Sequence, residues 1–152
     1  MDLSTRKFSL ILVPLLFAVL LGACHDHEAG AYGIFEVELI DRADDSRIAD
    51  VHGDHWHGQI VVEEGGEHLS VGFRFLDEDE DQIDIDLGGD ITYEVRDFDD
   101  SIVAVDTHSD HFHVHGLQVG DTITTFSLME DGETIYEFGE GSPVTVIVTE
   151  SE

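Results

Sequence analysis

The sequence predicts an all-β fold, two antiparallel sheets packed as a sandwich, and three observations carry that expectation. Apolar and polar residues alternate at period two through most of the chain after position 59. Turn-forming pairs recur roughly every 8–12 residues, and nothing after the first 23 residues has the 3.6-residue periodicity of a helix. The 152 residues suffice for one domain of about 100 to 130 residues and not for two.

The first expected strand covers 34–40, where Ile34, Val37 and Leu39 stand among glutamates. Residues 41–50 are charged and read as a loop with only a weak helical signal, leading into a histidine-rich segment at 52–57. Strands follow at 59–63 and, past the Gly65-Gly66 turn, at 68–76, where Leu69, Val71, Phe73 and Phe75 share one face. After an acidic loop at 77–81, Ile83, Ile85 and Leu87 alternate with aspartates. Gly88-Gly89 then turns the chain into Ile91, Tyr93 and Val95. A strand at 102–106 runs into a second histidine-rich segment. Asp131-Gly132 between 122–129 and 134–138 is a strong hairpin signal, and Ser142-Pro143 breaks the chain before a last strand at 144–149.

Residues 1–23 stand apart from this domain. Arg6 and Lys7 precede an apolar run over 8–21 that contains Pro14, short for a membrane span and suited to a signal-peptide core. Leu21-Gly22-Ala23-Cys24 resembles the bacterial lipobox, whose small residues admit the signal peptidase and whose cysteine receives the lipid. Cys24 is the single cysteine. The resemblance implies a chain that begins at Cys24, is held to the membrane through its lipid, and lies outside the cytoplasm in the cell envelope. Residues 24–33 are then a tether carrying His25 and His27, and 34–152 form the sandwich with its His-rich loops. Because His25 rather than aspartate follows Cys24, the outer membrane or outer surface is the expected location.

The chain holds 35 acidic residues against six basic ones, a formal charge of −29. Past residue 23 the only cations are Arg42, Arg47, Arg74 and Arg96, with no lysine. Nucleic acid is excluded as a partner, since a polyanion is bound by protein cations. Two explanations, not exclusive, account for so much acid: a salty habitat, where carboxylate keeps a protein hydrated, or a field that concentrates cations near a binding site, and the absence of lysine past residue 23 favours habitat as the main cause.

Seven of the ten histidines fall in two runs, His52-Gly53-Asp54-His55-Trp56-His57 and His108-Ser109-Asp110-His111-Phe112-His113-Val114-His115. Superposed, they share HxDHxH with an aromatic residue at the same place. On a strand, His111, His113 and His115 share one face and Phe112 and Val114 the other. Histidines two apart stand roughly 7 Å apart, close enough for both rings to lean onto one metal ion. The expected ligands are His52, His55, His57, His108, His111, His113 and His115. Asp54 and Asp110 serve either as fourth ligands or as partners that orient an imidazole. Imidazole and carboxylate without thiolate suit zinc first, with copper(II) or nickel as alternatives, and two methionines argue against copper(I). Binding requires neutral imidazoles and is expected to weaken as pH falls through roughly 6 to 7, with nearby carboxylates moving the midpoint upward. Asp77, Asp79 and Asp81 offer oxygen ligands for calcium, but without the spacing of an EF-hand they read as a solvated loop. His68 reads as a surface residue at the opposite end of the sandwich, and Trp56 as a packing anchor. No nucleophile constellation or phosphate-cradling loop marks an enzyme.

Two family resemblances bear on the same region. Ile102-Val103-Ala104-Val105-Asp106, a hairpin, and then His115-Gly116-Leu117-Gln118-Val119-Gly120-Asp121-Thr122-Ile123-Thr124 resemble the bacterial immunoglobulin-like domain of group 2 type, over about 59–149. That resemblance implies an immunoglobulin-like sandwich in which 52–57, 77–81, 109–113 and 130–133 converge at one end. The chain departs from the family at the hairpin, which here is long and full of histidine. Phe112-His113-Val114-His115 followed by Gly120-Asp121 also resembles a copper-ligand strand of copper/zinc superoxide dismutase, although a single cysteine cannot form that family's disulfide. The expected function is capture, buffering or transfer of metal, with a metal transporter or another envelope protein as partner. The alternatives are an immunoglobulin-like adhesion module without a small ligand, and a superoxide dismutase-like enzyme.

Overall fold

A computed structural model describes residues 31–151. The expected signal peptide, Cys24 with its lipid, and His25 and His27 of the tether lie outside the described residues. Twelve strands are present among those described: β1 (Glu36–Asp41), β2 (Arg47–His52), β3 (His55–Gly58), β4 (Ile60–Glu63), β5 (Leu69–Leu76), β6 (Gln82–Ile83), β7 (Ile91–Arg96), β8 (Val103–Thr107), β9 (His111–Gly116), β10 (Gly120–Glu130), β11 (Glu133–Glu137) and β12 (Val144–Thr149). They build the expected all-β sandwich. One sheet runs β3-β2-β1-β5-β9-β8 with β6 also on β5; the other runs β11-β10-β12-β4 with β7 also on β10. Every pairing is antiparallel except β4 with β12.

The core lies between the two inner faces. Val37, Leu39, Val51, Val71, Phe112 and Val114 of the first sheet and Ile60, Phe126, Leu128, Val144, Val146 and Val148 of the second are buried in one cluster. Aromatic rings join the layers: Phe112 and Phe73 lie 5.4 and 5.9 Å from Phe126, and Phe73 lies 5.6 Å from Phe138. The period-two pattern is the cause, because each strand turns alternate side chains inward. The β10–β11 hairpin turns at Asp131 and Gly132, both with positive φ (51° and 82°), the conformation a two-residue primed turn demands. Among the described residues no helix is long and apolar enough to cross a membrane.

Two sequence expectations change. Residues 47–52, read as the end of a loop, form β2, and the first histidine run folds back on it as β3 instead of lying in a loop. Charge had masked the strand: Arg47 and Asp50 point outward, while Ala49 and Val51 are buried. The alternating segment at 83–87 pairs with β5 only at Gln82 and Ile83. β1 occupies one edge of β5 from Val71 to Leu76, and β9 takes the other edge at Leu69 to Gly72. The chain after Ile83 therefore leaves the ladder, although Ile83, Ile85 and Leu87 still pack against the core.

The inward half of β9 is expected to carry the stability and the outward half very little. Phe112→Ala should cost roughly 3–5 kcal/mol in urea unfolding, and His113→Ala about 1 kcal/mol or less. Comparable losses at the two positions would contradict this orientation of the strand.

Candidate metal centres

Both histidine runs form the same local structure, a hairpin that closes on HxDH. In the first, His52 pairs with His55 across Gly53-Asp54, and His57 lies opposite Asp50. In the second, the His108 N–H donates to the His111 carbonyl (2.8 Å) across Ser109-Asp110, and Asp106 lies opposite His113. The aromatic residue common to the runs faces the core in each case. Phe112 is fully buried, and Trp56 packs 5.8 Å from Phe126 as the expected anchor. The histidines are thereby left on the outer face of the sheet.

Three triads result, each with one ligand atom per residue within 4.8 Å of the others: His52/His55/His57, His108/His111/His113 and His68/His113/His115. Each could hold a metal ion. Ring centroids are 4.7–5.4 Å apart in the first and 4.6–5.0 Å in the second. His68 lies 4.2 Å from His113 and 5.2 Å from His115. The reading of His68 as a mere surface residue therefore changes. It does precede β5 at the end opposite the hairpin tip, but β9 carries its histidines the length of the strand, and Leu69 pairs with Val114. Only this cross-strand register brings His68 to the other two.

Asp54 and Asp110 stand outside the triads and orient them. His55 Nδ1 lies 3.1 Å from the Asp54 carboxylate and His111 Nδ1 2.7 Å from that of Asp110. An Nδ1–H held by a carboxylate leaves Nε2 as the ligand atom. The HxDH spacing thus places a candidate ligand and a carboxylate able to orient it on adjacent residues. Asp110 is also ion-paired with Arg42 at 2.9 Å. The hydrogen bond from His111, with the Arg42 guanidinium beside it, holds the Asp110 carboxyl below the usual carboxylate range.

The frames of both hairpins are fixed by protein contacts. Trp56 Nε1–H donates to the Ser142 carbonyl (2.9 Å), and the Ser142 hydroxyl donates to the carbonyl of Asp54. Gly139 lies against this hairpin, where a Cβ would come within 2.7 Å of Val51. The second hairpin is held by the Tyr93 hydroxyl, which donates to the His111 carbonyl. Its turn rests on Gly88, where a Cβ would approach that of Ser109 to 2.6 Å. Burial pushes the Tyr93 phenol up to about 12, so the hydroxyl remains a donor throughout the physiological range. Ser142, Tyr93 and Gly88 had no metal-related signal in the sequence.

The two runs are not brought together in any one triad. Their hairpins turn toward the same end of the sheet, where β1 begins and β5 runs into the acidic loop, but at opposite edges. From β2 to β9 there are three inter-strand steps, roughly 14 Å. The intervening face carries an ion-paired strip: Glu38 binds Arg74 at 2.7 Å and Arg47 at 3.4 Å, and Arg47 reaches Asp50 at 3.5 Å. The acidic loop and the 130–133 turn also lie toward this end, the latter tied to Tyr32 by Glu130 (3.3 Å), but neither supplies a ligand to a triad. Asp77, Asp79 and Asp81 do not converge among the described residues. The Asp77 carboxylate instead accepts from the N–H groups of Asp79 and Asp81 and caps its own turn.

The expected upward shift by carboxylates does not hold for His113. Burial, joined by His68, His108 and His111, lowers its pKa, and Asp106 offsets this only in part. His113 therefore keeps the neutral, metal-ligating form to lower pH than an ordinary imidazole.

No family model matches this chain, and no curated protein matches it.

Because the Asp110 pKa is lowered, its contacts stabilise the fold above the carboxylate range and are lost as pH falls through its folded pKa. NMR titration should place the Asp110 midpoint below about 3.9, the ordinary aspartate value. His111→Ala should raise it more than Arg42→Ala does; the reverse order would assign the shift to the guanidinium.

Proposed function

We propose that this protein binds divalent transition metal ions, zinc foremost and copper(II) or nickel as the alternatives, for capture, buffering or transfer at the cell envelope. The observation that carries this reading is the convergence of all eight described histidines, the seven of the two runs and His68, into three triads on one outer face. Clustering in sequence would not require that convergence. Three imidazoles with a position left for water or an incoming ligand are a recurrent zinc donor set, and an open position suits exchange better than permanent burial does.

The surroundings support transport or buffering over a structural role. Both hairpins are closed by Trp56, Ser142, Tyr93 and Gly88 independently of any ion. A metal that maintained the fold would be expected to replace such contacts. The excess of carboxylate draws cations toward the surface at long range, and the triads then supply short-range selectivity. Attachment through lipid on Cys24 would hold the domain where an envelope transporter could receive the ion, and the lipobox-like LGAC sequence supports that placement. The immunoglobulin-like resemblance fits the same proposal, with the sandwich as scaffold and its atypical hairpin as the functional addition.

Elemental analysis after zinc loading should find metal at or above one equivalent per chain. His52→Ala/His55→Ala/His57→Ala and His108→Ala/His111→Ala/His113→Ala should each lower the content, and together remove all specific zinc. The metal-free protein should remain folded, with zinc at about 100 times its Kd adding roughly 2.7 kcal/mol. Zinc content should fall on acidification, because protonated imidazoles cannot ligate, and the lowered pKa of His113 favours retention to lower pH at the triads that contain it. A chain that takes up no zinc, copper or nickel at neutral pH would leave the metal reading without support. In cells, Cys24→Ser should abolish lipid labelling and release the protein from the membrane fraction.

A further inference from the structure

The second histidine run differs from the first in one respect that HxDHxH does not convey. β3 ends at Gly58, directly after His57, whereas β9 continues through Val114 to His115 and meets His68 at the start of β5. The first hairpin therefore makes one triad and the second makes two. Those two have a single member in common, His113.

We propose that His68, His108, His111, His113 and His115 hold one divalent ion at a time, in either of two positions that pivot on His113. This edge of the sheet is then a two-station track along β9. The inference rests on the metal-binding reading and adds that the two positions exclude each other.

Ligand chemistry is the reason. A neutral imidazole has one nitrogen lone pair to donate, and its other nitrogen carries a proton. For His113 to bind two ions at once it would have to lose that proton, and two doubly charged ions sharing one ring repel each other. Movement between the stations needs no electron transfer, and with one His113 nitrogen serving both stations it needs no proton transfer. The ion keeps His113, releases the nitrogens of His108 and His111, and accepts those of His68 and His115, all as neutral rings.

The spacing permits this exchange. His113 lies 4.7 and 5.0 Å from His108 and His111, and 4.2 and 6.5 Å from His68 and His115. Each station also has one exposed member, His108 at the hairpin tip and His68 at the far end, while His111, His113 and His115 are half-buried. An ion can therefore be received beside the exposed His108 and given up beside the exposed His68, while the shift between stations stays within reach of His113.

The experiment is zinc stoichiometry by equilibrium dialysis of the full chain carrying His52→Ala/His55→Ala/His57→Ala, which silences the first hairpin. Zinc is counted above that of a chain also lacking all five β9-edge histidines, so that His25 and His27 cancel. One zinc is expected with the five intact, one in His108→Ala/His111→Ala, and one in His68→Ala/His115→Ala. Exclusive positions further require the intact association constant to equal the sum of the two half-variant constants. His113→Ala should weaken binding at least ten-fold. Two zincs with the five intact would overturn exclusivity while leaving metal binding in place. One zinc with the five intact but none in either half-variant would show a single five-ligand cage and overturn the two stations. No zinc in any of these chains, nor in the unsubstituted protein, would overturn the metal-binding reading itself.

Discussion

The structure depends on one constraint, the period of two along β9. Phe112 and Val114 are buried in the aromatic core while His111, His113 and His115 occupy the opposite face. A strand cannot slip by one residue without exchanging these sets, which would place imidazoles in the core and phenylalanine in water. Apolar burial thus fixes the register, and the register fixes the positions of the histidines. Neither histidine run has to supply its own folding energy.

The first hairpin follows the same logic at the other edge. Trp56 and Val51 point inward and His52, His55 and His57 outward, and the two-residue turn brings the ligands of paired strands beside each other. Repetition of HxDHxH is therefore repetition of a geometry: a tight turn, a carboxylate beside its imidazole, and an aromatic anchor one residue on. Hairpins at sheet edges are accessible, and charged side chains there also guard an edge against pairing with another chain.

The electrostatics act at two ranges. The chain's large negative charge attracts cations generally, and few basic residues oppose it. Close to the sites the arginines have particular places. Arg42 pairs with Asp110, and Arg47 and Arg74 neutralise Glu38 between the two hairpins. That strip separates the metal candidates and prevents the outer face from being a uniform acidic surface. Glu36, beside Asp50 and Glu38, has its carboxyl raised by burial and by those neighbours, which shows how densely carboxylates are placed there.

Much of this was legible from residues alone. Alternation and turn pairs identified the sandwich and most strands. The β10–β11 hairpin followed from Asp131-Gly132, and the facing of β9 followed from HFHVH. Local pattern suffices there because side-chain direction on a strand is a local property. β2 was hidden because two of its outward positions are charged, and the 83–87 segment showed alternation without the edge it needed for pairing. Residue types and their spacing identify the candidate ligands and the way they face. Their grouping follows from the fold: two hairpins at opposite edges, His68 drawn to His113 and His115, and His113 shared by two triads. Grouping depends on strand order and cross-strand register, which arise from packing of the whole core and have no signature in any one segment.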